Sequence, residues 1–312
     1  MSTPTHVVLG GTGAVGSATV RGLLARGITP LTVSRHPPQT VPSPGHPVPW
    51  TQADMLDPAE AHRVLEGADI AYVAVGLPFV TQVWAEQWPI IIKNVSDAAL
   101  AQGTHLIYLD SAFSLGRSDG PMTEQTPVNP ACPKGEICAQ ALTILEEAAA
   151  RGLSLTITRS ADPYGGREVY GAFTTLALAK IARRHPGVWM IDADQPHSLS
   201  YVADIGNALA LVGTTPAARG RLWHLPTAPA LTGRRYIEIA AQQKGRINVM
   251  SADILRIGSV FDPEAREVIE LIYEYEAPYI FDSQAFESEF GVSPTPYDQG
   301  IPTALASWEQ DR

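Results

Sequence analysis

The sequence predicts an α/β fold: a Rossmann-type doubly wound parallel sheet followed by a smaller, mixed α/β C-terminal lobe. Three observations carry the prediction. Short, nearly all-apolar strands alternate with helix-length segments through the first half, as they do when a parallel sheet is covered on both faces. A glycine-rich turn, Gly10-Gly11-Thr12-Gly13, joins the first strand to the first helix. Beyond Arg159 that alternation gives way to short mixed segments.

Taken in order, Thr5–Leu9 is rich in β-branched and apolar residues and reads as a strand, and Ala14–Arg26 has helical spacing. Strands are expected at Thr29–Ser34 and Val48–Gln52, a helix at Pro58–Leu65, and a fully apolar strand at Ile70–Val75. Thr81–Gln102 reads as a long helix carrying Trp84 and Trp88, with Pro89 expected to bend it. His105–Leu109 follows as a strand, then a helix over Gly135–Arg151 and a strand over Leu153–Arg159. In the second part, a Gly/Pro loop spans Asp162–Gly166, a helix lies near Ala172–Arg183, and strands lie near Val188–Ile191 and Leu199–Val202. A helix from Asp204 to Val212, with Asp204 as its N-cap, would return to the sheet. The strand Arg221–Leu225 and helices at Thr232–Gln243, Pro263–Glu274, Ser283–Phe290 and beyond Tyr297 complete the lobe. Residues 1–160, with return elements near 186–213, are thus expected to bind a nucleotide, and residues 161–312 to bind substrate. The proline cluster Pro37–Pro49 reads as a surface loop.

Composition narrows the function classes. The chain has 312 residues, 45% hydrophobic and 17% charged, which supports a sizeable core and excludes global disorder. With 32 acidic against 22 basic residues the formal charge is -10, so a nucleic-acid partner is not expected. Cys132 and Cys138 stand six apart, which fits neither a CxxC redox pair nor a zinc framework, and no metal is expected. No signal peptide or membrane span is legible, so the expectation is a cytoplasmic protein with a small-molecule substrate, no membrane partner, and a homodimer as the possible assembly.

Gly10, Gly13 and Gly16 form a GxxGxxG spacing between the first strand and first helix. Small residues there let backbone N–H groups and the helix N-terminus approach a pyrophosphate, which makes Gly10, Thr12, Gly13, Ala14, Val15 and Gly16 the candidate cradle. At the end of the second strand stand Ser34 and Arg35, where an acidic residue would meet the ribose hydroxyls of NAD. Arginine suits a 2′-phosphate, so NADP(H) is expected and NAD(H) is the lesser alternative.

With those residues placed, the chain resembles the extended short-chain dehydrogenase/reductase superfamily, in its NAD-dependent epimerase/dehydratase-like branch. The resemblance rests on LGGTGAVGSATVRGLLARG at the start, ADMLD at 53–57, AVG at 74–76, YLDSAFSLG at 108–116, KGEICAQ at 134–140, RSADPYGG at 159–166, HSLSYVAD at 197–204 and RLWHLPT at 221–227. It implies that Asp54 meets the adenine amino group, that Met55 flanks the ring, and that Val75 and Gly76 line the way to the nicotinamide ribose. Catalysis in the family depends on a Ser or Thr after the fifth strand and on a Tyr and Lys four apart on the next helix.

Here the pattern departs from the family. Ser111 stands five residues before Gly116 and matches the family serine, but the residue four before Lys134 is Pro130, and no shift of register supplies a tyrosine. Lys134 is still expected to hold the ribose. Substitute proton donors come from loops that the resemblance brings over the nicotinamide: Asp162 and Tyr164 are the best placed, with Cys132 a further possibility. His197 and Tyr201 are expected to be structural.

These readings favour an NADP(H)-dependent oxidoreductase or epimerase acting on a small metabolite. Two alternatives stand beside it: a non-redox lyase, isomerase or cyclase on the same fold, and an NADP-sensing regulator without turnover.

Overall fold

The computed structural model describes residues 4–38, 47–242 and 246–308. Residues 39–46 of the proline cluster, and residue 243 at the end of one expected helix, lie outside the described residues. The chain divides into two compact units. The first comprises residues up to Asp110, Glu136–Arg159 and Ile205–Trp223; the second comprises Ser111–Gly135, Ser160–Asp204 and His224 onward.

In the first unit, strands β1 (His6–Leu9), β2 (Leu31–Ser34), β3 (Trp50–Gln52), β4 (Ile70–Val73), β5 (His105–Ser111) and β6 (Leu155–Ser160) join Leu222–His224 in a seven-stranded sheet. The order across it is Leu222–His224, β6, β5, β4, β1, β2, β3, and the pairs β3–β2, β2–β1, β1–β4 and β4–β5 are parallel. Successive strands are added to one side of β1 and then to the other, so the order reverses between β1 and β4, the crevice where open α/β sheets take their ligands. β1 and β4 are buried along their whole length, which is why their sequences show no polar alternation.

Helices α1 (Ala14–Leu24), α2 (Pro58–Leu65), α3 (Thr81–Gln102) and α4 (Pro133–Ala150) follow β1, β3, β4 and β5 in the chain. Asp57 caps α2 by accepting the Ala59 N–H, and Gly103 ends α3 in the left-handed region that glycine enters at little cost. α3 is continuous across Pro89. Its inner face, with Ile91, Ile92, Val95 and Ala99, joins β1, β4 and α4 in one core cluster.

The second unit is mixed. Asp162–Tyr164, expected as loop, forms a short strand parallel to Leu199–Tyr201, while Gly187–Met190 pairs with Ile247–Met250. Its core is aromatic: Tyr164, Phe173, Trp189, Tyr236, Tyr275 and Tyr297 pack in one cluster. The helix expected over Pro263–Glu274 is divided into Pro263–Ile269 and a 3-10 turn over Ile272–Tyr275. The helix Ala252–Phe261 has no counterpart in the sequence reading, because Ile254, Ile257 and Phe261 are exposed and erase the apolar-inside pattern that marks a surface helix. Asp204 is not an N-cap. The helix begins earlier, at Val202, and the Asp204 carboxylate accepts the Thr295 N–H at 2.7 Å and the Thr295 hydroxyl at 2.8 Å. Among the described residues, no helix is long and apolar enough to cross a membrane.

Candidate active site

The glycine turn after β1 is shaped by backbone contact. Gly10 sits at φ 78°, donates its N–H to Val33 O at 2.8 Å, and has no room for a side chain, since a Cβ there would lie 2.4 Å from Ala74 O. Gly16 lies against the same turn, where a Cβ would come within 2.2 Å of Gly10 O. Gly13 is the N-cap of α1, contributes no side-chain cap, and is followed by a first turn free of acidic residues. The helix therefore presents main-chain donors and its positive dipole end to an outside anion.

Beside this turn is a groove lined by Gly10, Thr12 and Gly13, by Ser34, Arg35 and His36 at the end of β2, by Asp54 and Met55, and by Val75, Gly76 and Leu77 after β4. Nine of the residues expected at the cofactor are in this lining. Ala14 and Val15 open α1, and Gly16 supports the turn from within it. His36, Leu77 and Ile91 also line the groove; the sequence reading left them out of its cofactor set because a groove wall has no periodicity of its own. Asp54 is held in place, with Oδ1 accepting the Leu56 N–H at 3.0 Å while Glu60 takes the Asp54 N–H. Ser34 is engaged too: its hydroxyl donates to His36 O at 2.7 Å and accepts from Trp50 Nε1 at 2.8 Å. A groove bordered by the glycine-rich turn Gly10–Gly13 and by an apolar wall at Met55 and Val75 fits a dinucleotide.

The residues expected to do chemistry belong to the second unit. Ser111 ends β5 and caps the 3-10 turn Ala112–Leu115, its Oγ accepting the Phe113 N–H at 3.3 Å. That bond uses a lone pair and leaves the hydroxyl proton to donate. Lys134 is fully buried, and its ammonium bonds Glu267 Oε2 at 2.6 Å and the Glu270 carboxylate. The ribose contact expected of it is therefore not what the structure displays: a buried cation is held by opposite charge, and two carboxylates supply it. Cys132 accepts the Gly135 N–H at 3.3 Å, and burial pushes its thiol pKa up, which makes it a packed neutral group.

Tyr164 does not sit where an acid would. Its ring is fully buried, stacked on Tyr201 at 5.1 Å with Phe173 and Tyr297 around it, and a Cβ on Gly300 would lie 2.3 Å from its hydroxyl. Burial drives the phenol pKa far up, so it stays protonated as a core ring.

Asp162 has a different environment. Its Oδ2 meets His197 Nε2 at 3.1 Å and accepts the Tyr275 hydroxyl at 3.2 Å. His197 Nδ1 lies 3.2 Å from the main-chain oxygen of Glu274, and the Glu274 side chain accepts the Tyr273 hydroxyl at 3.1 Å on Oε1. Burial first, and the charge of Asp162 second, raise the Glu274 pKa well above the carboxylate range. One donor atom from each of Asp162, His197 and Glu274 lies within 4.8 Å of the other two. Sequence reasoning missed Glu274 and Tyr275 because it placed them in or next to a regular helix end. The interleaved Tyr273-Glu274-Tyr275 and nearby Tyr279 were the available signal.

A model of the NAD dependent epimerase/dehydratase family matches residues 6–224. The chain belongs to that family. It is an enzyme of the NAD-dependent epimerase/dehydratase type on an extended short-chain dehydrogenase/reductase fold. Among solved structures it is similar to UDP-glucuronic acid 4-epimerase from Bacillus cereus in complex with NAD, at 14% identity and TM-score 0.78 over 98% of this chain and 99% of that one. It is similar to DesIV, a dTDP-glucose 4,6-dehydratase from Streptomyces venezuelae with NAD bound, at 18% identity and TM-score 0.78 over 99% and 98%. The Bordetella bronchiseptica enzyme WbmH in complex with NAD+ is similar at 16% identity and TM-score 0.76 over 99% of both chains. No curated protein matches the chain by sequence.

These findings correct the cofactor. The expectation of NADP(H), built on Arg35, gives way to NAD, the cofactor in the family's description and in the three solved structures. The physical reason lies at the rim of the groove. Arg35 lines the groove and is exposed, and a solvated guanidinium there is compatible with NAD as well, so the arginine by itself does not select a 2′-phosphate. In this family member the groove residues Gly10, Thr12, Gly13, Asp54, Met55, Val75 and Gly76 would hold NAD.

Proposed function

We propose that this family member is an NAD-dependent oxidoreductase or epimerase that acts at a hydroxyl- or carbonyl-bearing carbon of a small metabolite. The observation that carries the reading is the groove at the β1–α1 turn, where every position that must be free of a side chain is glycine. Bound NAD supplies a hydride acceptor or donor there. Ser111, with its hydroxyl proton free to donate by geometry, would hydrogen-bond the substrate oxygen, and Asp162 is the candidate that exchanges a proton with it. The related structures carry names of nucleotide-sugar enzymes, so nucleotide sugars join small ketones and alcohols as the substrate classes to be tried.

The test is binding and turnover together. Calorimetry should show NAD binding to the wild type and at least a ~10-fold loss in Gly16→Val, whose side chain collides with the Gly10 carbonyl, with both proteins folded by circular dichroism. Net oxidoreductase activity would change NADH absorbance in proportion to product, whereas an epimerase would interconvert substrate with no net change. A wild type that binds no NAD, or a Gly16→Val variant that binds it as well, would sink the reading.

A further inference from the structure

The groove beside the glycine turn contains a hydroxyl whose proton is already placed. Ser34 closes β2, and the period-two alternation of a strand puts Thr32 and Ser34 on the same face of the sheet. β3 runs parallel to β2 with Trp50 opposite Thr32 and Gln52 opposite Ser34, so the Trp50 side chain stands on that face as well. Its indole Nε1–H donates to Ser34 Oγ at 2.8 Å, and Ser34 Oγ donates to the main-chain oxygen of His36 at 2.7 Å. Chemistry fixes the direction of both bonds, since an indole N–H only donates and a carbonyl oxygen only accepts. A hydroxyl has one proton and two lone pairs. Here the proton and one lone pair are used, and Ser34 is left with a single lone pair.

Ser34 is thereby an acceptor at the end of β2, the place where Rossmann-type sites meet the adenosine ribose. An ionised acidic residue at that place only accepts too, so Ser34 offers a ribose hydroxyl the role of a carboxylate without its charge. A 2′-phosphate is different. Near neutral pH a phosphate monoester carries about 1.5 to 2 negative charges and its oxygens are acceptors, so it would meet the Ser34 lone pair with another lone pair. To donate to the phosphate, Ser34 would first have to break its bond to His36, which costs roughly 2- to 10-fold in affinity. Arg35, the next residue, is exposed, and solvent screens its attraction for the same phosphate.

We propose that Ser34, held between Trp50 and His36, is the specificity-determining residue of the groove: it accepts a hydroxyl of the adenosine ribose and discriminates against a 2′-phosphate. The inference rests on the NAD-dependent reading above and names the side chain that selects NAD where β2 ends without an acidic residue. Trp50 is a positioning residue. It acts through Ser34, by occupying one lone pair and holding the hydroxyl in the orientation that sends its proton to His36. The device lies wholly within the first unit, to which Ser34, His36, Trp50 and the glycine turn all belong.

Calorimetric titration of the purified protein with NAD+ and with NADP+ reads the selection without any turnover. The wild type should bind NAD+ at least about fivefold more tightly than NADP+. Ser34→Ala should weaken NAD+ by about 3- to 10-fold and leave NADP+ within about twofold, which brings the ratio of the two affinities close to one. Ser34→Thr, which restores the hydroxyl, should restore the ratio. Trp50→Phe keeps an aromatic ring and removes the donor; the released hydroxyl can then turn toward a phosphate, and the ratio should fall by about 2- to 5-fold. Proton–nitrogen NMR of the Trp50 indole, assigned by its loss in Trp50→Phe, adds a readout independent of the dinucleotides: the signal should move upfield in Ser34→Ala as its hydrogen bond is lost. A wild type that binds both dinucleotides equally or prefers NADP+, a Ser34→Ala or Trp50→Phe ratio equal to that of the wild type, or an indole signal unmoved in Ser34→Ala would overturn the inference. Binding of neither dinucleotide by the wild type would instead overturn the NAD-dependent reading on which it rests.

Discussion

The Glu274 carboxyl is buried, with Oε1 accepting the Tyr273 hydroxyl at 3.1 Å, and burial favours its neutral form. Its pKa is raised in the folded state, which makes the sign of its pH linkage definite: its favourable contribution is complete below the ordinary carboxyl range and is lost as pH rises toward the folded value. Glu274→Gln mimics the protonated form. The variant's thermal midpoint should therefore gain on the wild type as pH is raised from about 5 to about 8, and parallel midpoints across that range would refute the assignment. At this scale the sequence was legible where chemistry is local. The glycines of the turn could be named because each needs the absence of a side chain, whereas the roles of Lys134 and Tyr164 depended on neighbours. Glu267 and Glu270 take up the charge of the one, and Gly300 and three rings enclose the other.

At the scale of elements, α1 and the helix Val202–Thr214 meet through small residues. A Cβ on Gly206 would lie 2.5 Å from Ala18 Cβ, and one on Gly22 would lie 3.0 Å from Ala210 Cβ. Gly206→Val should force the helices apart and lower stability by about 1–3 kcal/mol, read from the urea midpoint. Because a Cβ there also meets the Ala18 main-chain carbon at 2.3 Å, Gly206→Ala should itself be destabilising, and a Gly206→Val urea midpoint equal to the wild type would show that the helices are not in close contact at this position. The strands and helices of the first unit could be read from the sequence because each buries a continuous face, giving the strong patterns of β1, β4 and α3. The second unit was harder. Its strands are two to four residues long, its helix Ala252–Phe261 exposes apolar side chains, and the segment Phe173–Leu178 winds as a π-helix inside what reads as an ordinary helix.

At the scale of the molecule, acid stability is tied to His105 at the start of β5. Its ring is 2% exposed and bonded to Ser154 at 2.8 Å and Thr156 at 3.1 Å, and burial pushes its pKa down to about 4. A depressed histidine is neutral when folded and takes up a proton first in the unfolded chain, so stability falls as pH drops from about 6.5 toward 4. The loss should reach about 3 kcal/mol, from roughly 2.5 pKa units at 1.36 kcal/mol each. His105→Asn should flatten this acid limb in chemical denaturation, and an unchanged slope would assign the limb to other groups. By itself the sequence determined the doubly wound sheet, the glycine turn and the family, since these follow from burial patterns and backbone sterics within short stretches of chain. Only the tertiary structure decided which polar groups meet: Asp162 and His197 are 35 residues apart, and His197 and Glu274 are 77 apart. A hydrogen bond acts over about 3 Å, so pairing across such distances is set by the path of the folded chain.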